Sequence, residues 1–193
     1  PISRFSNSVN GTVIGRFCED SNGDVWIASD DGGLNRFSPK NRKFSHYLPL
    51  EGKNSLSYHN VHALCMDGDN LWIGTYTGGV NVLNLQTGTF KTYSAYQDNP
   101  ASLDGTSSYA IFKDRKERIW VTSMSGVNLY NREKDNFTRI KYLDALTTLT
   151  RIPKEISGSP PKARDYLNTI QKNRYGRTIY MTIKIRTHWQ TTK

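Results

Sequence analysis

The sequence has few cysteines and no long apolar run. Only two of its 193 residues are cysteine, which argues against a small domain held together by several disulfides. No stretch approaches the ~18 consecutive apolar residues that a membrane-spanning helix requires. The first residues lack the charged start and apolar middle of a signal peptide, and no initiating Met is present. We therefore expect the beginning of the protein to be missing.

Motifs for catalysis and for cofactor binding are also absent. The sequence has no Gly-x-Ser-x-Gly, no phosphate-binding loop and no paired cysteine motif. The histidines His46, His59, His62 and His188 show no metal-ligand spacing, and we interpret them as solvated or loop residues. We predict no catalytic residues, no metal and no cofactor in this chain.

The net charge of +9 is concentrated at one end of the sequence. Residues 1–150 hold 16 Lys and Arg against 15 Asp and Glu, whereas residues 151–193 hold 10 against 2. A basic segment of this kind is typical of arms that bind nucleic acid or anionic lipid. Nucleic-acid binding through the tail is therefore one hypothesis for the function.

A repeat of 46 to 48 residues, marked by Trp26, Trp72 and Trp120, runs through most of the chain. Each unit divides into four short strand candidates separated by turns rich in Gly, Asn and Asp. Four strands make one propeller blade. We predict an all-β chain: a partial β-propeller of about three four-stranded blades with an irregular C-terminal tail. The predicted domain is 1–145, with blades at about 5–50, 51–97 and 98–142, and the tail is 146–193.

Several positions recur in phase with the tryptophans, and we interpret them as structural. The tryptophans are expected to pack between blades, and Asp20, Asp67 and Asp114 to cap turns rather than act as general acids. The third unit has a single glycine where the others have a pair, so we expect its turn to close differently. The structural residues of the repeat are Trp26, Gly32, Gly33, Trp72, Gly78, Gly79, Trp120 and Gly126.

The two cysteines, Cys18 and Cys65, occupy equivalent positions in two successive units. Equivalent positions in neighbouring blades are usually farther apart than the ~4.4 to 6.8 Å that a disulfide allows between Cα atoms. We therefore predict two buried thiols.

The pattern of an acidic turn, Trp-Ile-Gly-Thr and Gly-Gly-Leu-Asn-Arg-Phe resembles the two-component regulator propeller repeat. Residues 71–75 and 32–37 carry the resemblance, and the connecting stretches 54–57 and 99–103 echo each other. It implies the periplasmic sensor region of an inner-membrane hybrid histidine kinase of the Bacteroidetes type, which responds to oligosaccharides. The partners implied are the remaining blades and kinase domains of a homodimeric full-length protein, with the membrane reached only through absent segments. Phosphotransfer would lie outside this chain.

Blade order predicts a ligand site where the turns after each second strand meet the connections into the next blade. Aromatic and short polar side chains there would suit sugar rings and hydroxyls, although ordinary exposed loops explain the same set. The candidate residues are Asp30, Asp31, Tyr58, His59, Tyr76, Thr77, Tyr109, Met124 and Ser125. An alternative function is a fragment of a propeller enzyme, such as a polysaccharide or antibiotic lyase, with its catalytic residues in other blades.

The tail from residue 146 has neither the repeat pattern nor an amphipathic period. Codons compatible with this tail, when read one base earlier, restore an acidic turn, a tryptophan, a glycine pair and a closing aromatic. We therefore hypothesise that residues 146–193 are a fourth blade translated out of frame. On this hypothesis the basic charge of the tail is accidental, and no nucleic acid is bound.

We expect DNA sequencing across the codons for residues 140–160 to reveal a one-base shift that restores a fourth repeat. An uninterrupted frame in independent reads would contradict the hypothesis. The alternative, nucleic-acid binding through the tail, predicts salt-dependent binding of the isolated tail peptide to DNA.

Overall fold

The computed structural model describes residues 7–140, which form three four-stranded antiparallel sheets. Blade 1 contains β1 (Val13–Glu19), β2 (Val25–Asp30), β3 (Gly33–Ser38) and β4 (Lys43–Tyr47). Blade 2 contains β5 (Val61–Asp67), β6 (Asn70–Thr75), β7 (Val80–Asn84) and β8 (Phe90–Tyr93). Blade 3 contains β9 (Ser108–Lys113), β10 (Ile119–Ser123), β11 (Val127–Asn131) and β12 (Asn136–Ile140). The predicted all-β fold with propeller-like blades is confirmed, and the tail 146–193 lies outside the described residues.

The first strand of each blade is the innermost one. β5 contacts β1 and β2 of the preceding blade, and β9 contacts β5 and β6 in the same way. Within each sheet the strands follow chain order, so the fourth strand lies at the opposite edge. We call the side that carries the β2–β3, β6–β7 and β10–β11 turns and the connections between blades the upper face.

The core lies between successive blades and is built around tryptophan. Trp26 of blade 1 is 1 % exposed and packs with Leu71 of blade 2, and Trp72 of blade 2 is 3 % exposed and packs with Ile119 of blade 3. Burying an aromatic side chain of this size stabilises a fold by on the order of 3 kcal/mol. Each blade therefore depends on its neighbour for a large part of its stability.

In blades 1 and 3 an aspartate joins the tryptophan to the turn before the second strand. Asp20 accepts hydrogen bonds from the backbone N–H groups of Asn22 and Asp24 through Oδ1 and from Trp26 Nε1 through Oδ2 at 2.8 Å. Asp114 accepts the equivalent bonds, including one from Trp120 Nε1 at 2.8 Å. These carboxylates cap the turn and also satisfy the buried indole.

Asp67 of blade 2 does not cap its turn in this way, so the prediction for this residue is wrong. Two residues separate Asp67 from its strand partner Asn70 in blade 2, whereas five separate Glu19 from Val25 in blade 1. The shorter hairpin keeps Asp67 within β5 and leaves Trp72 Nε1 buried without a hydrogen-bond partner.

Asp67 instead links blade 2 to blade 3. Arg132 Nη1 lies 2.7 Å from Asp67 Oδ2, and Lys113 Nζ lies 3.4 Å from Asp67 Oδ1. Burial alone raises the pKa of Asp67, but the hydrogen bond and charge of Arg132, aided by Lys113, outweigh it and lower that pKa below its ordinary value. A short turn has thus replaced a bond within a blade by ion pairs between blades.

The cysteines are free thiols, and they are half-buried rather than fully buried as predicted. Burial raises the pKa of Cys18 to about 12, with further contributions from the neighbouring Cys65 thiol and the Asp20 carboxylate. Both side chains pack against the cores between blades. They act as small apolar side chains in the packing.

The outer flank of β1 exposes apolar side chains. Val13 is 50 % exposed, Ile14 48 % and Phe17 76 %, whereas Val61, at the position equivalent to Ile14 in blade 2, is 1 % exposed. The difference arises because blade 1 covers the flank of β5, and no described blade covers β1. An exposed strand flank of this kind favours association with another chain.

We expect the full chain to self-associate, and Phe17→Ser to reduce this association because it removes the most exposed of these apolar side chains. Light scattering coupled to size exclusion would measure the change. Leu50→Ser, which removes an exposed leucine from a connection (55 % exposed), serves as the matched control. A monomeric, sharply melting wild-type chain would contradict the prediction.

Asp114→Ala is expected to lower the free energy of unfolding at pH 7 by about 1–3 kcal/mol, because the buried Trp120 indole N–H loses its acceptor. Burial by itself raises the pKa of Asp114, but hydrogen bonds from Trp120 and Arg118 outweigh it and lower that pKa. A carboxyl with a lowered pKa stabilises the fold above its unfolded pKa of ~3.9, and this contribution is lost as the pH falls through the folded pKa.

The difference in unfolding free energy between wild type and Asp114→Ala should therefore narrow as the pH falls from about 5 towards 2. Urea denaturation at several pH values would measure it. Asp98→Ala, which removes an exposed acidic residue from a connection, should leave both the stability and its acid dependence nearly unchanged.

Candidate functional site

The innermost strands carry a β-bulge at the same place in all three blades. The register with the second strand shifts between Ile14 and Arg16 in blade 1, between Val61 and Ala63 in blade 2, and opposite Thr122 and Ser123 in blade 3. The bulged residues are Gly15, His62 and Tyr109, spaced 47 residues apart. Bulges commonly redirect a side chain next to a functional site.

His62 forms the centre of a cluster at the upper end of these strands. Its Nε2 lies 3.2 Å from Asp30 Oδ1 of blade 1. Its ring lies 5.7 Å from that of Tyr76 and 5.8 Å from that of Tyr109, and it is nearly parallel to the latter at 17°. Because its members come from β2, β5, the β6–β7 turn and β9, the cluster exists only when three blades are packed together. We call these four residues the upper cluster.

A second group of polar and aromatic residues lies beside Asp30 in the chain. The carboxylate of Asp31 is 3.5 Å from His59 Nε2, and its N–H donates to Asn60 Oδ1 at 3.3 Å. The Tyr58 ring stacks on His59 with centroids 4.4 Å apart. Asp31 has a φ of +60°, a conformation that Asp tolerates better than most residues. The first two blades therefore present two His–Asp pairs on the upper face.

The remaining predicted residues are not part of the upper cluster. Thr77 is exposed in the same turn as Tyr76. Met124 and Ser125 line a separate cleft of about 450 Å³, together with Tyr96, Asp104 and Arg139. The cleft lies on blade 3 because the β10–β11 turn faces the connection from blade 2. The nine predicted residues therefore divide into three places on the upper face: three lie in the upper cluster with Thr77 beside it, three lie around Asp31 and His59, and two line the cleft.

Buried asparagines hold the segments that lead into the innermost strands. One asparagine occupies the same position in the third strand of each blade, and all three are 0 % exposed. Each accepts a hydrogen bond through Oδ1 from the backbone N–H of a residue just before the first strand of its own blade. The pairs are Asn35 with Asn10, Asn81 with Ser57 and Asn128 with Asp104, at 2.8, 2.9 and 3.1 Å. These bonds position the connections that carry the site residues.

In blades 1 and 2, a glycine at the start of the third strand joins the blade to the next one. Gly33 N–H donates to the His59 carbonyl, and Gly79 N–H donates to the Thr106 carbonyl, both at 2.8 Å. Both glycines have positive φ, and a Cβ would collide with the carbonyl oxygen of Tyr47 or Tyr93. In blade 3, Gly126 lacks a positive φ and its carbonyl accepts from Ser123 N–H at 2.9 Å, so this turn closes differently, as expected.

Sequence reasoning missed His62 as a site residue. Its interpretation as a solvated or loop histidine is wrong, because His62 lies within β5 and its side chain is 21 % exposed. His46 also lies in a strand, β4, where its Nδ1 is 2.8 Å from Asn35 Oδ1. The signal available in the sequence was the spacing of 47 residues between His62 and Tyr109, which places both at one repeat position.

Within residues 7–140, no group of three or more His, Cys, Asp and Glu side chains is arranged to hold a metal ion. The same residues contain no helix long and apolar enough to cross a bilayer.

The three antiparallel blades, with their first strands innermost, define a segment of a β-propeller. Residues 8–31 and 55–77 match the model of the two component regulator propeller family. The first matched segment lies in blade 1 and the second in blade 2. The match includes the bulged residues Gly15 and His62 and the whole of β2 and β6.

Solved structures show the same fold. The chain is similar to the extracellular domain of a hybrid two component system from B. thetaiotaomicron, with a TM-score of 0.62 and 22 % identity over 67 % of this chain and 18 % of that one. It is also similar to the extracellular domain of a one component system from the same organism, with a TM-score of 0.60 and 22 % identity over 72 % and 20 %. The chain thus spans about a fifth of these domains.

An enzyme shares the fold as well. Virginiamycin B lyase from Staphylococcus aureus matches with a TM-score of 0.50 and 16 % identity over 68 % of this chain and 43 % of that one. At these identities the likeness extends to the fold alone. No curated protein matches the sequence.

Proposed function

We propose that this chain is part of the periplasmic sensor region of a two-component regulator and that its upper face contributes to an oligosaccharide site. The family of the repeats and the extracellular location of the similar domains support the first half of the proposal. The aromatic and acidic residues gathered at the upper ends of the innermost strands support the second. In the full-length protein the remaining blades would complete the ring, and kinase domains across the membrane would receive the signal.

The observation that carries the proposal is the composition of the upper cluster. Tyr76 and Tyr109 offer aromatic faces on which a sugar ring packs its C–H groups, and Tyr76 is 42 % exposed. The carboxylate of Asp30 and the imidazole of His62 offer hydrogen-bonding groups for hydroxyls at the edge of such a ring. Tyr58, stacked on His59, extends the aromatic surface towards blade 1. Ligand pockets commonly combine aromatic side chains with a few well-placed polar groups, and a sugar ring can use both.

Because the site is shared by three blades, ligand binding would stabilise one arrangement of the blades over others. A ligand shifts a conformational equilibrium only by its difference in affinity for the two states. Contacts to β2, β5, the β6–β7 turn and β9 at once provide such a difference whenever the blades move relative to one another. Altered packing between propellers or subunits would then carry the signal.

The Tyr76→Ala and Tyr58→Ala variants of the full-length protein are expected to bind oligosaccharide about two- to twelvefold more weakly, because each loses an aromatic contact worth roughly 0.5–1.5 kcal/mol. Calorimetry with glycans first identified on an oligosaccharide array would measure the affinities. Tyr96→Ala, which removes an exposed tyrosine (61 % exposed) from the separate cleft, is the matched control. Wild-type protein that binds no oligosaccharide, or variants with unchanged affinity, would contradict the proposal.

A lyase is the second candidate function, and the His62–Asp30 pair is the observation that favours it. A carboxylate 3.2 Å from an imidazole can orient it for proton transfer. Mass spectrometry of the glycans recovered from the binding experiment separates the two functions. A sensor returns its ligand unchanged, whereas a lyase cleaves it.

A further inference from the structure

The bulge position of the innermost strand varies between blades although its surroundings repeat. Two residues after the bulge the chain always has an apolar residue: Phe17, Leu64 and Ile111. At the bulge itself the blades differ: Gly15 has no side chain, His62 carries an imidazole and Tyr109 carries a phenol. The backbone at this position is the same in all three blades, whereas the side chain differs. Each blade can therefore contribute a different contact to a common ligand.

From this variation we infer that the bulged residues determine the specificity of the upper-face site, and that the site takes a neutral pyranose ring, seated beside His62 where Gly15 supplies no side chain. This inference rests on the proposed function and deepens it. It concerns the size of the space at Gly15 and the sign of the charge around Asp30, which can be tested separately.

Neither backbone geometry nor crowding requires glycine at position 15. Gly15 lies outside the set of glycines with positive φ. A Cβ built on it would meet its nearest neighbours, the carbonyl oxygens of Val61, Ala28 and His62, at 3.7, 3.9 and 3.9 Å, which are ordinary van der Waals distances. Gly32 and Gly33, in the following turn, contrast with it because a Cβ there would collide with backbone atoms. Position 15 therefore has room for at least a β-carbon beside β5.

The space at Gly15 adjoins the upper cluster. Two of the three atoms nearest to its missing side chain belong to β5, and one of these is the carbonyl oxygen of His62 itself. A large side chain at position 15 would thus extend along β5 towards the imidazole, in the way that Tyr109 approaches it from blade 3 at 5.8 Å. On the blade 1 side, Asp30 contacts His62 Nε2 but position 15 supplies no side chain, whereas on the blade 3 side the bulged residue Tyr109 stacks near the imidazole.

Blade 1 places two acidic side chains on the upper face, next to His62 and His59. The carboxylates of Asp30 and Asp31 have side-chain exposures of 36 % and 65 %, and their ionic partners in the described part of the chain are His62 and His59. Within residues 7–140, these two ion pairs involve no Lys or Arg. A sulfated or uronic acid sugar would place its anion close to these carboxylates, and like charges at such distances are unfavourable. Hydroxyl groups, in contrast, can donate hydrogen bonds to them.

The size of the space is tested with Gly15→Ala, Gly15→Asn and Gly15→Tyr in the full-length protein, using the tightest-bound glycan of an array that holds neutral and uronate-containing oligosaccharides. We expect Gly15→Ala to bind within about twofold of wild type, Gly15→Asn to bind more weakly, and Gly15→Tyr to lose at least about tenfold in affinity. Melting temperatures establish that the variants fold. Gly15→Asn keeps the test decisive if Gly15→Tyr does not fold. Equal affinities for Gly15→Ala and the larger variants would overturn the inference.

The charge is tested on the same array. Wild-type protein is expected to prefer neutral oligosaccharides, and Asp30→Asn/Asp31→Asn to gain binding to oligogalacturonate relative to wild type. Tightest binding of the wild type to an anionic glycan would overturn the inference while leaving the proposed function intact. Binding to no oligosaccharide at all would refute the proposed function, and the inference with it.

Discussion

The structure depends on the burial of one tryptophan between each pair of successive blades. A single four-stranded sheet of this kind has two faces and cannot bury both within itself, so its stability comes from the blade that follows and the blade that precedes. Trp26 and Trp72 meet this constraint by packing against residues of the next blade. The exposed flank of β1 shows what remains when no blade covers a face.

Packing between blades also creates the candidate site. Asp30, His62, Tyr76 and Tyr109 come from three blades, and they meet because tryptophan packing brings β1, β5 and β9 together. The buried asparagines then hold the connecting segments against the same strands. The interactions that stabilise the propeller and those that assemble the site are thus coupled, so that a ligand bound across blades acts on the stability of their interfaces.

The three blades share the same backbone arrangement, but their side-chain interactions differ. Shortening one hairpin moves Asp67 away from Trp72 and into ion pairs with Lys113 and Arg132 of the next blade. The bulge position shows the same freedom, because its backbone is common to the blades while its side chains differ. Interfaces between blades can in this way diverge in strength and chemistry without a change of fold.

Sequence alone determined the number of blades, the strands within them and the turn residues, because these follow from local periodicity and from a spacing that recurs along the chain. It also placed Asp30, Tyr76 and Tyr109 on one face. Only the tertiary structure decided that His62 joins them, that Asp67 turns to the next blade, and that Met124 and Ser125 line a separate cleft. The physical reason is that these contacts join residues of different blades or depend on the register of a bulge or hairpin, where one residue more or less redirects a side chain.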